Sequence, residues 1–391
     1  MGFAELLAPV PEPVTPLGRL RILSPTCGLR VNAFAFGGMS LGEAWADILP
    51  PLNQEKSFAL LDAWYEAGGV HIDTSNHYQN EESETIIGKW LAARGIRDHL
   101  VIGTKFTSTS GRSTSDHGKN EAANLSGNHR KSIHVSLRES LKKLQTDYVD
   151  ILYVHFWDYT TSIPELMDIL DSLVKQGKVL HLGASNLPAW VVAGCNAYAT
   201  TANKTPFVVY QGKWNVLDRA IEQDIIPMAR HYNMAIQPWA ALAQGRLQTR
   251  AQREKLEASG TFRKGPKGEL TGLELEMSNV LEEVANKHQV NSLAPILLAW
   301  LYAKYTYCFP VIGLHDTEAS QLEQNIAGIG IHLDEEDVAK IDAVNPTNFG
   351  YPNNFNGEDP HETGRSTAVP SGQLGTIDWV VDRQVYSSHM R

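Results

Sequence analysis

Short runs rich in β-branched residues alternate with longer amphipathic stretches along most of this chain, and that alternation constrains the fold more than any other feature. The spacing predicts strands over 31–36, 70–73, 100–105, 149–155, 179–184, 207–211, 235–238 and 308–312. Helical periodicity falls between them, over 54–67, 81–93, 130–144, 163–176, 187–197, 220–232, 273–288 and 318–327. About eight strand–helix units predict an α/β chain closed into a (β/α)8 TIM barrel. A doubly wound open sheet competes, but it wants a glycine-rich phosphate turn after its first strand. FAFGGMSLG does not supply GxGxxG, and Gly328-Ile-Gly330 is a weaker match near the wrong end.

The 391 residues suffice for one such barrel with extensions, so a single domain over 1–391 is expected, with its core at about 22–345. Two segments interrupt the rhythm. Residues 244–270, QGRLQTRAQREKLEASGTFRKGPKGEL, are polar and basic, and as the connection after strand seven they would lie over the mouth of a barrel. Residues 346–391 read as an extended C-terminal tail draped over the surface.

Charge and composition remove several classes of function. A formal net charge of -10 disfavours a nucleic-acid-coating role. Cys27, Cys195 and Cys308 lie far apart without CxxC spacing, which suits a reducing compartment and gives no zinc site. The N-terminus lacks a basic region followed by an apolar run, so no signal peptide is expected. The most apolar stretch, 293–302, contains Pro295 and is too short to cross a bilayer. A cytoplasmic protein without a membrane or nucleic-acid partner is the expectation.

Active sites of such barrels form at the C-terminal ends of the strands. Strand two ends in Asp73 with Tyr78 just beyond it (HIDTSNHYQNEE), strand three in Lys105 (VIGTKF) and strand four in His155 (ILYVHFWD). Any one of these alone reads as a cap or a surface charge, but four at successive strand ends share a job. A nearby ammonium lowers the pKa of a tyrosine hydroxyl. Lys105 can supply that ammonium, Asp73 can hold it, and His155 can hydrogen-bond the substrate oxygen that Tyr78 protonates. The set amounts to a proton donor beside a polarised carbonyl, as reduction by hydride requires.

HIDTSNHY, GTK and YVHFWD together resemble the aldo-keto reductases, over about residues 22–345. ESETIIGKWL, KLQTDYVDILYVHFWD and SNLPAW are similar to the fungal aryl-alcohol dehydrogenase and norsolorinic acid reductase group. The resemblance implies an NADPH-dependent reductase of a small carbonyl substrate, with Asp73, Tyr78, Lys105 and His155 catalytic. It also implies a nicotinamide nucleotide lying extended across the mouth. Ser185, Asn186 and Gln211 would hold the carboxamide, Trp239 would stack on the ring, and Gly38, Met39 and Asp73 would approach the reacting centre. Ala241, Leu242, Gln244, Gly245 and Arg246 would lie near the pyrophosphate. Ile312 and Gly313, with Gln321, Gln324 and Asn325, would meet the adenosine end.

There the chain departs from the family pattern, because PVIGLHDTEASQLEQN has His315 and Asp316 where a basic residue usually grips a 2′-phosphate. Arg246, Arg263 or Lys264 could take that part, and NADH stays open as an alternative. Trp45, Phe156, Trp157 and Trp214 fall in strand-end loops and suit the flat walls of a pocket for an aryl or polyketide-derived carbonyl. Two other readings are open: a Schiff-base barrel lyase with Lys105 as nucleophile, and a nucleotide-sensing subunit that serves a partner.

Overall fold

The computed structural model describes residues 7–109, 123–259, 270–315 and 320–357, with a few single positions beyond. Arg263, Lys264 and Asp316 lie outside the described residues. The chain opens with an antiparallel hairpin of β1 (Arg21–Ser24) and β2 (Cys27–Val31). Eight parallel strands follow: β3 (Ala35–Gly37), β4 (His71–Asp73), β5 (Val101–Phe106), β6 (Val149–Val154), β7 (Val179–Ser185), β8 (Phe207–Lys213), β9 (Ala235–Trp239) and β10 (Val311–Ile312). They pair in the order β10-β3-β4-β5-β6-β7-β8-β9. A parallel bridge between Ile236 and Cys308 joins the two ends. There the Ile236 N–H donates to the Tyr307 carbonyl and the Phe309 N–H to the Ile236 carbonyl, each at 2.9 Å. The result is the expected (β/α)8 barrel.

Helices wrap it: α1 (Gln54–Glu66), α2 (Glu82–Arg94), α3 (Arg130–Leu144), α4 (Ile163–Lys175), α5 (Ala189–Thr201), α6 (Ile225–His231), α7 (Arg250–Ser259), α8 (Gly272–Lys287), α9 (Ala294–Lys304), α10 (Ser320–Ala327) and α11 (Glu335–Val344). Local chemistry sets their ends. Asn53 caps α1, accepting from Lys56 N–H, and Ser162 caps α4 with Pro164 in its first turn. Gly95 ends α2 in the left-handed conformation.

The hairpin decides which mouth is open. Leu23, Cys27 and Val31 pack in one buried cluster with Val101, Ile151, Val209, Ala235 and Phe309 at the N-terminal half of the barrel. That end is therefore plugged, and the C-terminal end is left for chemistry.

The helix α9 did not show in the periodicity because it is buried on every side and so has no polar face. Part of the polar connection after β9 is helical, as α7. No helix among the described residues is long and apolar enough to cross a membrane.

Candidate active site

Parallel pairing aligns the ends of neighbouring strands, and this brings the four predicted residues together. Gly37 pairs with Asp73, and Asp73 with Gly103, two residues before Lys105. Lys105 is completely buried, with Nζ 2.8 and 2.6 Å from the two Asp73 carboxylate oxygens and 2.8 Å from the Thr74 carbonyl. Its remaining reach is to the Tyr78 hydroxyl at 3.4 Å. His155 stands edge-on to the Tyr78 ring, with centroids 5.9 Å apart. Gly38 packs against the end of β4 so closely that a Cβ there would lie 2.9 Å from the Asp73 carbonyl oxygen.

Tyr78 is five residues past its strand, so the loop must aim it. Gln79, Asn80 and Glu81 take φ values of 52, 50 and 84°, a left-handed run that non-glycine residues adopt at a cost of about 1 kcal/mol or more each. Side-chain anchors hold the run in place. The Gln79 amide accepts from Trp45 N–H at 2.7 Å and donates to the Met39 carbonyl at 3.0 Å. Lys143, on α3, donates to the Asn76 carbonyl at 2.9 Å and pairs with buried Glu84 at 2.8 Å. The same contacts bring Trp45 beside Tyr78, at 6.2 Å between rings.

Electrostatics refine one expectation. Burial pushes the Tyr78 hydroxyl up and Lys105 pulls it back, and the net shift is upward, not downward. Tyr78 therefore stays protonated at neutral pH, as a proton donor must. Burial also opposes the charge on Lys105, but Asp73 and Tyr78 outweigh it and its pKa rises. A protonated, fully paired ammonium is the wrong state for a Schiff-base nucleophile.

The polar and aromatic residues expected at the cofactor ring also converge. Asn186, at φ 54°, donates to the His155 carbonyl at 3.2 Å and accepts from the Trp239 indole N–H at 3.1 Å. Its side chain also meets Ser185 Oγ at 3.0 Å. Gln211 donates to Asp73 at 2.9 Å, so its amide nitrogen is engaged and its oxygen is the group left for a ligand. Ala241 is buried in the loop after β9, where Leu242 packs against the core and Gln244 and Gly245 are exposed. Gln321 accepts from the His315 N–H at 3.2 Å, Gln324 is exposed and Asn325 is buried.

Two placements, those of Trp214 and Arg246, differ from expectation. Trp214 is fully buried, donates to Glu222 at 2.9 Å and packs 5.6 Å from Trp300, so it is a core residue and not a pocket wall. Trp157 is half-buried and packs partly against the hydrophobic core. Arg246 is held in a two-pronged ion pair by Glu274, at 2.8 and 2.7 Å, rather than presented to a ligand. Phe156, by contrast, is exposed and stacked on His155, with centroids 4.2 Å apart.

Sequence reasoning passed over His77 and Ser75 inside the quoted motif, and both stand at the centre of the site. His77 lies 5.2 Å from the Tyr78 ring and 5.3 Å from His155. Asn128 and Asp158 were also missed. Asp158 accepts from the Asn128 N–H, and Asn128 donates to Thr107 Oγ1 and the Phe156 carbonyl, which ties the loops after β5 and β6 together.

Beneath the site, His71 is buried completely and held neutral, its pKa pushed down to about 3 by burial and then by Lys105. Its ordinary value is near 6.5, so below that pH the unfolded chain takes up a proton that the native imidazole refuses. Stability should thus fall as pH drops from about 6.5 towards 3, by roughly 1.4 kcal/mol per pH unit for this group. Urea unfolding measured across that range should show a shallower slope in His71→Gln by about that amount.

Residues 33–346 match the Aldo/keto reductase family. The chain is 47% identical to the aldo-keto reductase ausK of Emericella nidulans, over 93% of this chain and 91% of that one. It is 44% identical to the aryl-alcohol dehydrogenase [NADP(+)] of Phanerodontia chrysosporium, over 89% and 91%. It is 42% identical to the norsolorinic acid reductase stcV of Emericella nidulans, over 92% and 89%. The barrel, the Asp73–Lys105–Tyr78–His155 cluster at its open mouth and a match over most of the length agree: the chain belongs to the aldo/keto reductase family.

Proposed function

We propose that this protein is an NADPH-dependent reductase that converts an aldehyde or ketone on an aryl or polyketide-derived framework to the alcohol, with Tyr78 as proton donor. One observation carries the reading: a buried ammonium, fixed by Asp73, lies 3.4 Å from a tyrosine hydroxyl beside a neutral histidine. The names of the aryl-alcohol dehydrogenase and norsolorinic acid reductase relatives support the substrate class.

The mouth fits a nicotinamide nucleotide. Trp239 offers an aromatic face pinned by its indole N–H, and Ser185, Asn186 and Gln211 offer amide and hydroxyl groups around it. Gly38, Met39 and Asp73 border the reacting end. Ala241, Leu242, Gln244 and Gly245 would follow the phosphates, with Arg246 bracing that loop through Glu274, and Ile312, Gly313, Gln321, Gln324 and Asn325 would follow the adenosine. When bound, the nicotinamide supplies the hydride. The chain does the rest. The Tyr78 hydroxyl and His155 Nε2–H grip the carbonyl oxygen, and Tyr78 delivers its proton as negative charge develops there. Lys105 then stabilises the phenolate that remains. Trp45 and Phe156 flank the substrate ring.

Preference for NADPH needs a cation at the 2′-phosphate. Since Arg246 is committed to Glu274, the selective contact is assigned to Arg263 or Lys264. Alanine at one of those two should weaken NADPH about ten- to a hundredfold and leave NADH nearly unchanged. Arg246→Ala should weaken both alike through the loop. Dissociation constants for both nucleotides at fixed salt check this, and a panel of aldehydes and ketones then tests the function itself.

A further inference from the structure

Two imidazoles stand beside Tyr78, and one hydroxyl joins them. Buried Ser75 places its Oγ 3.0 Å from His77 Nδ1 and 3.3 Å from His155 Nδ1. A serine hydroxyl has one proton to give, so it cannot donate to both rings. Both imidazoles are neutral at pH 7, since burial, and after it the Lys105 charge, depress both, His77 to about 4. Each ring thus carries a single N–H, and what its Nδ1 does fixes what its Nε2 offers.

The next step rests on the reading in which His155 Nε2–H donates to the carbonyl oxygen. His155 Nδ1 is then bare and needs a donor, and the Ser75 hydroxyl is the group that faces it. The hydroxyl's other neighbour, Asn76 Oδ1 at 3.4 Å, is farther away. If the proton went there, two lone pairs would oppose each other at His155. With its proton turned to His155, Ser75 presents a lone pair to His77, which must therefore carry its proton on Nδ1. That leaves His77 Nε2 a bare acceptor, and among the described residues no protein donor is bonded to it.

We propose that His77 determines specificity: its Nε2 accepts a hydrogen bond from a hydroxyl on the substrate, so that the site selects aryl carbonyls bearing a phenolic hydroxyl over the corresponding ethers. The ring separations of 5.2 Å to Tyr78 and 5.3 Å to His155 set this acceptor beside the carbonyl-binding pair, where a single aromatic ring can carry both groups. Trp45, 5.9 Å from His77, supplies the adjoining wall.

The test has two arms. In the first, kcat/KM is measured with saturating NADPH for meta-hydroxybenzaldehyde and meta-methoxybenzaldehyde, in the parent protein and in His77→Phe, which keeps a planar ring and loses both nitrogens. One net hydrogen bond corresponds to roughly a tenfold preference for the hydroxyl compound. That preference should collapse to about one in His77→Phe. A parent enzyme without preference, or a variant that keeps it, overturns the proposal. In the second arm, nitrogen-15 shifts of the labelled histidines report tautomers without any turnover, with His77→Phe and His155→Asn assigning the signals. His77 should carry its proton on Nδ1 and His155 on Nε2, and Ser75→Ala should shift both towards averaged values. Identical tautomers in the parent protein overturn the relay. If the parent protein reduces no aldehyde while the opposite tautomers are found, the reductase reading fails and takes the substrate class with it, but the relay stands.

Discussion

Tyr78→Phe should lose about 100- to 10,000-fold in kcat for aldehyde reduction while binding NADPH almost as tightly as the parent protein. The hydroxyl sits 3.4 Å from the Lys105 ammonium and is proposed to act on the substrate oxygen, so its removal should bear on chemistry and not on the nucleotide. The ring is retained, which preserves its packing against His77 and Trp45. Stopped-flow turnover beside a fluorescence titration of NADPH separates the two effects. A variant that reduces aldehydes near the parent rate would show that another group supplies the proton.

Lys105→Met should damage both rate and stability. It removes the charge that offsets the burial of the Tyr78 hydroxyl, and it leaves the Asp73 carboxylate buried with the Gln211 amide but no cation. Breaking a buried ion pair on one side costs about 3–5 kcal/mol, because the orphaned charge keeps its desolvation penalty. Adding Asp73→Asn removes that charge, so the double variant should recover much of the stability and none of the activity. Urea unfolding and turnover on the two variants check this. Recovery of activity in the double variant would mean that the ammonium serves the fold alone.

The site was legible where strand register determines it. Asp73, Lys105 and His155 lie within one residue of the ends of β4, β5 and β6, and a strand end can be located from β-branched runs and the turn that follows. Past the strand end that guide stops. His77 and Ser75 sit in a loop whose direction is set by the left-handed run at Gln79–Asn80–Glu81, and nothing in the period of the sequence announces such a run in non-glycine residues. Trp214 failed as a pocket residue for the same reason: one residue beyond β8, its side chain turns to Glu222 and Trp300.

The bottom hairpin was missed because β1 and β2 are short, half-exposed and broken by a register shift, which weakens the alternation that marks a strand. The helix α9 was missed from the opposite cause, an apolar surface on all sides, with Pro295 standing in its first turn where it starts a helix instead of breaking one. The capping box of α11, Asp334 with Asp337, is a signal in residue type rather than in hydrophobic period, so periodicity does not carry it.

Carbonyl reduction through Tyr78 is tested by a single turnover: enzyme preloaded with NADPH is mixed with excess meta-hydroxybenzaldehyde, and nicotinamide absorbance and alcohol formation are followed together. One alcohol should form for each NADPH oxidised, in a fast phase that all but disappears in Tyr78→Phe although the cofactor remains bound. NADPH that binds but is not oxidised by any aldehyde or ketone offered, or a phase as fast in Tyr78→Phe as in the parent protein, would contradict it.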